Sequence, residues 1–256
     1  VSQKPKSRTT AASRTTTALV TGAARRIGAC IAETLHDRGC RVFLHYHNSA
    51  AQVNELADRL NGKRVNSVVV LQADLGEAES LDAMVARIKA ETDSLDLLVN
   101  NASQFFPTKV GATTAKQWDD LMNSNLRGAY FLTQALLPEL SVGGGSVVNL
   151  LDVHATRPMP GHAVYSAAKA AMQMMTLALA KELGPKIRVN GVAPGAILWP
   201  ENEITSEGQR EILDKTVMQR AGEPQDIASA VAYLGLDAPY VTGQILAVDG
   251  GRSLNI

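Results

Sequence analysis

From Thr17 onward the chain alternates short apolar or β-branched runs with longer segments of helical periodicity: "TALVTG", then "IGACIAETLHDRG", "RVFLHYH" and "AAQVNELADRLNG". The rhythm continues through "VNSVVVLQAD", "SLDAMVARIKAET", "LDLLVNN", a helix around Trp118 to Leu140, "GGSVVNLLD", a helix from about Gly161 to Leu183, and "IRVNGVAP". A helix at Pro224 to Leu234 precedes a last strand, "GQILAVDGG". Strands that are apolar at nearly every position leave no face to water, so with amphipathic helices between them they require a parallel sheet covered on both sides. Right-handed crossovers make that a single-domain, doubly wound α/β architecture. A chain of 256 residues, 45% of them apolar, can bury one such core, and no second composition regime follows the first sixteen residues.

Lys plus Arg and Asp plus Glu each total 25, so no global charge excess points to nucleic acid or an anionic membrane as partner. Cys30 and Cys40 have no second Cys or His at zinc-like spacing and read as free thiols. No apolar run approaches a membrane span and no secretory signal is present, which predicts a soluble, cytoplasmic protein. Residues 1–16, "VSQKPKSRTTAASRTT", are basic and poor in large apolar side chains, the composition of a disordered tail rather than a targeting helix. The polar segment Pro200 to Val217 interrupts the rhythm; it reads either as a substrate lid or as a plain surface excursion, with Trp199 at its border or packing as an anchor.

"ALVTGAARRIGACIAETL" places Thr21, Gly22 and Gly28 where the first strand passes into the first helix. Glycines there let the backbone turn tightly and approach a pyrophosphate, whose charge the helix N-terminus favours. The second strand ends in "LHYHNSA", where an acid would grip the ribose hydroxyls of NAD, and no acid is present. His45, His47, Asn48 and Ser49, with Arg25 in the preceding turn, suit a 2′-phosphate instead, so NADPH is the expected cofactor. His45 alternatively alternates inward and packs. Asp74, in "QADL", either accepts from an adenine amino group or caps the following helix.

Tyr165 and Lys169 lie four residues apart in a helical segment and share a face. A free phenol titrates near 10, and an adjacent ammonium would bring it toward useful acidity, making Tyr165 a general-acid candidate. His154 and His162 flank this pair without a carboxylate at ligand spacing, so no metal is expected. Met172, Met174 and Met175 read as filler in a core or an interface.

"TGAARRIG", "NNAS", Asn125, "YSAAK", "IRVNGVAPG" and "VTGQILAVDGG" follow one another at spacings that make the chain resemble the short-chain dehydrogenase/reductase family from Thr17 almost to its end. The resemblance implies a Rossmann-like fold and a homotetramer. It implies Tyr165 as proton donor, Lys169 holding the nicotinamide ribose and lowering the tyrosine pKa, and Asn125 supporting a relay water. It further implies a cofactor site of Gly22, Arg25, Arg26, Ile27 and Gly28 in the turn, His47, Asn48 and Ser49 after the second strand, and Asp74 and Leu75 after the third. Asn101, Ala102 and Ser103 would line the cofactor, and Pro194, Gly195 and Ile197 would lie near the nicotinamide.

Two departures from the family pattern resemble its pteridine reductase subgroup: Arg26 replaces the middle glycine of the turn, and Asp152 replaces the serine thirteen positions before the tyrosine. "HYHNSA" and "NNASQFFPT" are similar to that subgroup too, which implies a pterin substrate bound by Arg26, Ser103, Phe105, Asp152 and Tyr165. The chemistry agrees. Pterin reduction adds hydride to a ring carbon and a proton to a ring nitrogen; a carboxylate accepts from ring N–H groups, Arg26 can donate to a carbonyl, and Phe105 can stack. An ordinary carbonyl reductase, such as a 3-oxoacyl-carrier reductase, and a non-catalytic NADPH-binding protein remain as alternatives. The C-terminal "RSLNI" either stays on its own subunit or reaches a neighbouring site.

Overall fold

The computed structural model describes residues 14–197 and 205–256. Most of the N-terminal tail, Trp199 and residues 200–204 of the expected lid lie outside them. Seven strands form one parallel sheet in the order β3-β2-β1-β4-β5-β6-β7: β1 (Thr17–Val20), β2 (Arg41–Tyr46), β3 (Val68–Gln72), β4 (Leu97–Asn100), β5 (Ser146–Leu150), β6 (Arg188–Pro194) and β7 (Ile245–Val248). Helices α1 (Arg26–Asp37), α2 (Ala50–Lys63) and α3 (Ala78–Glu91) connect the first four strands.

Alternation along the strands sends neighbouring side chains into two cores. Ala18, Val20, Leu97 and Val99 pack with Ile31, Leu35, Val53 and Leu60 of α1 and α2 and with Ile227 and Val231 of α9 (Pro224–Ala232). Leu19, Leu98 and Val147 face Leu81 and Ile88 of α3 and Leu132 of α5 (Gly128–Ala135). Both faces of the sheet are thus covered, as the apolar strands require.

The helix expected around Trp118 to Leu140 is not uniform. It runs as α4 (Ala115–Met122), a π-turn at Asn123–Arg127, α5, and a short α6 (Leu137–Val142). Gly128 opens α5 where a Cβ would stand 2.8 Å from the Leu75 Cβ, so the helix passes unusually close to the end of β3. Single π-turns are frequent at functional sites, and this one carries Asn125.

The segment expected to be irregular contains α8 (Ser206–Asp214), capped by Thr205 Oγ1, which accepts from Gly208 N at 3.2 Å. None of its residues is buried.

Under the sheet's C-terminal edge lies a buried polar ladder. Asn100 and Asn149 are register partners of β4 and β5. Asn100 Nδ2 donates to Asn149 Oδ1 at 2.9 Å and to Thr133 Oγ1 of α5 at 3.2 Å. Asn149 Nδ2 donates to Thr176 Oγ1 at 2.9 Å, reaching α7 (Ala163–Leu183).

Candidate active site

Because all strands run one way, their C-terminal ends open on one crevice, and the expected site residues follow those ends. After β1, Gly22 adopts φ +64, and Thr21 Oγ1 accepts from the Asn101 and Ala102 amides at 2.9 Å each. Asn101 Nδ2 donates back to Thr21 O at 2.8 Å, so β4's exit is tied to the glycine turn. At Gly28 a Cβ would sit 2.1 Å from Gly22 O and 2.6 Å from Asn101 Nδ2. This close approach leaves the N-terminus of α1 bare toward the crevice, the geometry that suits a pyrophosphate. Arg26 holds the left-handed φ of 54° where the family pattern has glycine, a backbone state that costs a non-glycine residue about 1–2 kcal/mol.

A cavity of about 450 Å³ runs from this turn to the end of β2, lined by Arg25, Arg26, Ile27, Gly28, His47, Asn48, Ser49, Asn101, Ala102 and Ser103. Beyond it a second cavity, of about 170 Å³, brings together His47, Asp74 and Leu75. Asp74 does not cap α3. Its Oδ1 accepts from Gly76 N at 2.9 Å, and Glu77 holds the cap position. Its Oδ2 lies 3.6 Å from His47 Nε2, so a protonated His47 would be partly paired.

His45 proves to be a strut and not a phosphate donor. Its Nδ1 accepts from Gly22 N and its Nε2 donates to Ala73 O, both at 3.1 Å, which fixes the neutral tautomer and joins the ends of β1, β2 and β3. Burial pushes its pKa down to about 4 from 6.5. Between those values the unfolded chain binds a proton that the folded one refuses, so stability is lost as pH falls. Unfolding by urea is expected to cost about 3 kcal/mol less at pH 4 than at pH 7 on this account. The difference should shrink in His45→Asn; an unchanged difference would assign the acid limb to other groups.

A further cavity of about 170 Å³ is lined by Arg26, Ile27, Asn101, Ser103, Asp152, Tyr165, Lys169, Pro194, Gly195 and Ile197. Tyr165 Oη donates to Asp152 Oδ2 at 2.7 Å. The other carboxylate oxygen accepts from His154 N at 2.8 Å, capping a short 3₁₀ turn at Val153–Ala155. Both oxygens are oriented, and each retains acceptor capacity toward the crevice. Lys169 Nζ is buried, donates to Leu150 O at 2.9 Å, and lies 5.8 Å from the Tyr165 ring centre. Burial brings its pKa down to about 8, against the pull of Asp152.

The expectation that Lys169 lowers the Tyr165 pKa is corrected here. Burial, the charge of Asp152 and the hydrogen bond to it all raise the phenol well above its ordinary value. Lysine is turned to a backbone carbonyl, and the carboxylate is the tyrosine's partner. The arrangement stores a proton on Tyr165 beside an acceptor, which is the starting state of a general acid.

A family model described as enoyl-(acyl carrier protein) reductase matches residues 22–253. The chain belongs to the short-chain dehydrogenase/reductase family. Pteridine reductase 1 of Leishmania tarentolae is 34% identical over 280 residues, covering 93% of this chain and 96% of that protein. The 3-oxoacyl-(acyl-carrier-protein) reductase FabG of Staphylococcus aureus is 35% identical over 241 residues, 93% of this chain and 98% of its own. An uncharacterized oxidoreductase of Methylorubrum extorquens is 33% identical over 240 residues. This chain is therefore an NAD(P)-dependent oxidoreductase. Among the described residues no helix is long and apolar enough to cross a membrane.

In this reductase the remaining expected residues take less direct positions. Asn125 is buried on the π-turn; its Nδ2 donates to Gln104 O at 2.9 Å and Leu121 O at 3.0 Å, and its buried Oδ1 has no partner among the described residues. An orphaned acceptor of that kind suits a bridging water. Phe105, half-exposed, borders the candidate cavity beside Tyr165. It stands edge-to-face with Tyr165, ring centres 4.8 Å apart, and stacks on His162. Met172 is core, whereas Met174 is exposed. Strand alternation already offered the inward packing of His45 but not its hydrogen bonds, and nothing along the chain signalled the contacts of His162.

Asp249 and Arg252 shape the C-terminal turn. Asp249 packs where a Gly195 Cβ would be and accepts from Gly251 N and Ser253 N. Arg252 donates to Ile212 O of α8 at 3.0 Å, which ties the C-terminal turn to that helix.

Proposed function

We propose that this reductase uses NADPH to reduce a pterin ring, with Tyr165 delivering the proton. The Tyr165–Asp152 hydrogen bond of 2.7 Å carries the reading, because it puts a carboxylate where a carbonyl reductase needs only a hydroxyl. A carboxylate accepts from the ring N–H and amino groups of a pterin, and it orients the phenol toward a ring nitrogen. NADPH, when bound, supplies hydride from its nicotinamide. Arg25, His47, Asn48 and Ser49 line the cavity end where a 2′-phosphate would sit; no acid follows β2 directly, and Asp74, after β3, faces His47 at 3.6 Å. On this reading Lys169 would hold the nicotinamide ribose, and Arg26 would donate to a pterin carbonyl. Homotetramer formation, which the family resemblance implies, agrees with the exposed Phe131, Met174 and Leu177 on α5 and α7.

A second reading, reduction of a 3-oxoacyl thioester, is supported by the oxoacyl reductase, which aligns over 241 residues where the pteridine reductase needs 280. With purified protein, loss of NADPH absorbance is expected with dihydropterin and not with a 3-oxoacyl thioester, and NADH should serve much less well. Turnover of the thioester alone would reject the pterin reading. NADPH binding without any turnover would favour a non-catalytic role.

A further inference from the structure

Two loops from separate crossovers meet beside the catalytic tyrosine. One leaves β4 and carries Phe105; the other leaves β5 and carries His162, which immediately precedes α7. They are stitched through the backbone: Thr108 pairs with His162 as an isolated parallel bridge, Thr108 N donates to Gly161 O at 2.6 Å, and Val164 N donates to Thr108 Oγ1 at 3.3 Å. The stitch brings the His162 imidazole flat against the Phe105 ring, with centres 4.7 Å apart and planes 9° from parallel. The same Phe105 ring meets Tyr165 at 85°. Imidazole, phenyl and phenol thus form one continuous wall, of which the sequence reading had placed only two members near the substrate.

Phe105 is 43% exposed, and its ring meets Tyr165 on its edge and His162 on its face. A side chain that exposed would otherwise sample several rotamers and present a blurred face to a flat ligand. His162 is itself held. Its Nδ1 donates to Pro160 O at 3.1 Å, and its backbone is tied at Thr108. The planes match as two stacked rings do, an arrangement worth more than the buried area alone.

We infer that His162 is a positioning residue, which by stacking on Phe105 sets the aromatic wall against which a planar heterocyclic substrate is bound next to Tyr165. The inference rests on the pterin reading and adds to it a residue that acts through Phe105 and not on the reacting atoms. Stacking is the operative property, so an aromatic ring of any polarity at position 162 preserves it and a small side chain does not.

His162→Ala and His162→Phe in the full-length enzyme test this. His162→Ala is expected to raise KM for dihydropterin about fivefold, the size of one aromatic pair, with kcat within twofold and NADPH affinity and melting temperature unchanged. His162→Phe should restore KM. An unchanged KM in His162→Ala, or a failure of His162→Phe to restore it, overturns the inference while leaving the pterin reading intact. Equal losses in kcat, cofactor affinity and melting temperature would make the role merely structural and overturn it too. If the unaltered enzyme turns over no pterin, the reading itself falls and takes this inference with it.

Discussion

An Asp152→Ser enzyme is expected to lose about 100-fold in kcat for pterin reduction while binding NADPH as tightly as the unaltered protein. Serine is the informative replacement because it separates two jobs that the carboxylate performs. Asp152 caps the 3₁₀ turn through His154 N, and serine is nearly as good a cap, so the loop should keep its shape. What serine cannot do is accept two hydrogen bonds with a full negative charge behind them. The loss should therefore fall on the chemical step. A second readout follows from Lys169: burial brings its pKa down to about 8 against the pull of Asp152, so removing the carboxylate should lower it further and move the alkaline limb of the pH–rate profile to lower pH. Equal losses of turnover and cofactor affinity, or an unmoved alkaline limb, would show that the carboxylate does not face the reaction.

Gly28→Ala should be the more damaging change to the cofactor site, although it adds one methyl group. The new Cβ would stand 2.1 Å from the Gly22 carbonyl oxygen, an atom of the backbone, which no side-chain rotation can relieve. The turn must open, and it is the same turn that Asn101 and His45 brace from two sides. Overpacking of this kind costs about 1–3 kcal/mol in stability. The cradle also loses its shape, so the expected fall in NADPH affinity is about 100-fold or more. Gly62→Ala is the control: it lies in α2, and a Cβ there meets nothing within 4 Å. That variant should bind normally and gain slightly in stability. Calorimetric titration of both variants decides the matter, and normal binding by Gly28→Ala would refute the proposed cradle.

The sheet was legible because its strands are apolar on both faces, and nothing but a parallel sheet under two helical layers absorbs such strands. Ala18, Leu19 and Val20 ended in two different cores as alternation demands. Tyr165 and Lys169 were legible because helical spacing puts them on one face. Their electrostatics were not. Spacing locates the ammonium near the ring but cannot reveal that Leu150 O claims it, nor that a residue thirteen positions earlier returns to grip the hydroxyl. The π-turn at Asn125 left no signal, since one extra residue in a turn does not alter local composition. Helix α8 was missed because the polar composition of its segment hid a short amphipathic pattern whose apolar residues, Ile212 and Leu213, are only half-buried. His45 and His162 carry their roles through contacts across separate crossovers, which a reading along the chain does not see.

The polar ladder beneath the crevice has a bearing on accuracy as well as on stability. An all-apolar seam between parallel strands tolerates a slipped pairing at modest cost, because one branched side chain packs much like another. Asn100, Asn149 and Thr176 do not tolerate it: displaced, each leaves a buried amide or hydroxyl without a partner, at about 1–3 kcal/mol apiece. Asn101 follows the first of these directly, Asp152 stands three residues past the second, and Lys169 lies two helical turns before the third. Error-checking of strand alignment is thus built one layer below the crevice, and the candidate site residues inherit their placement from buried asparagines.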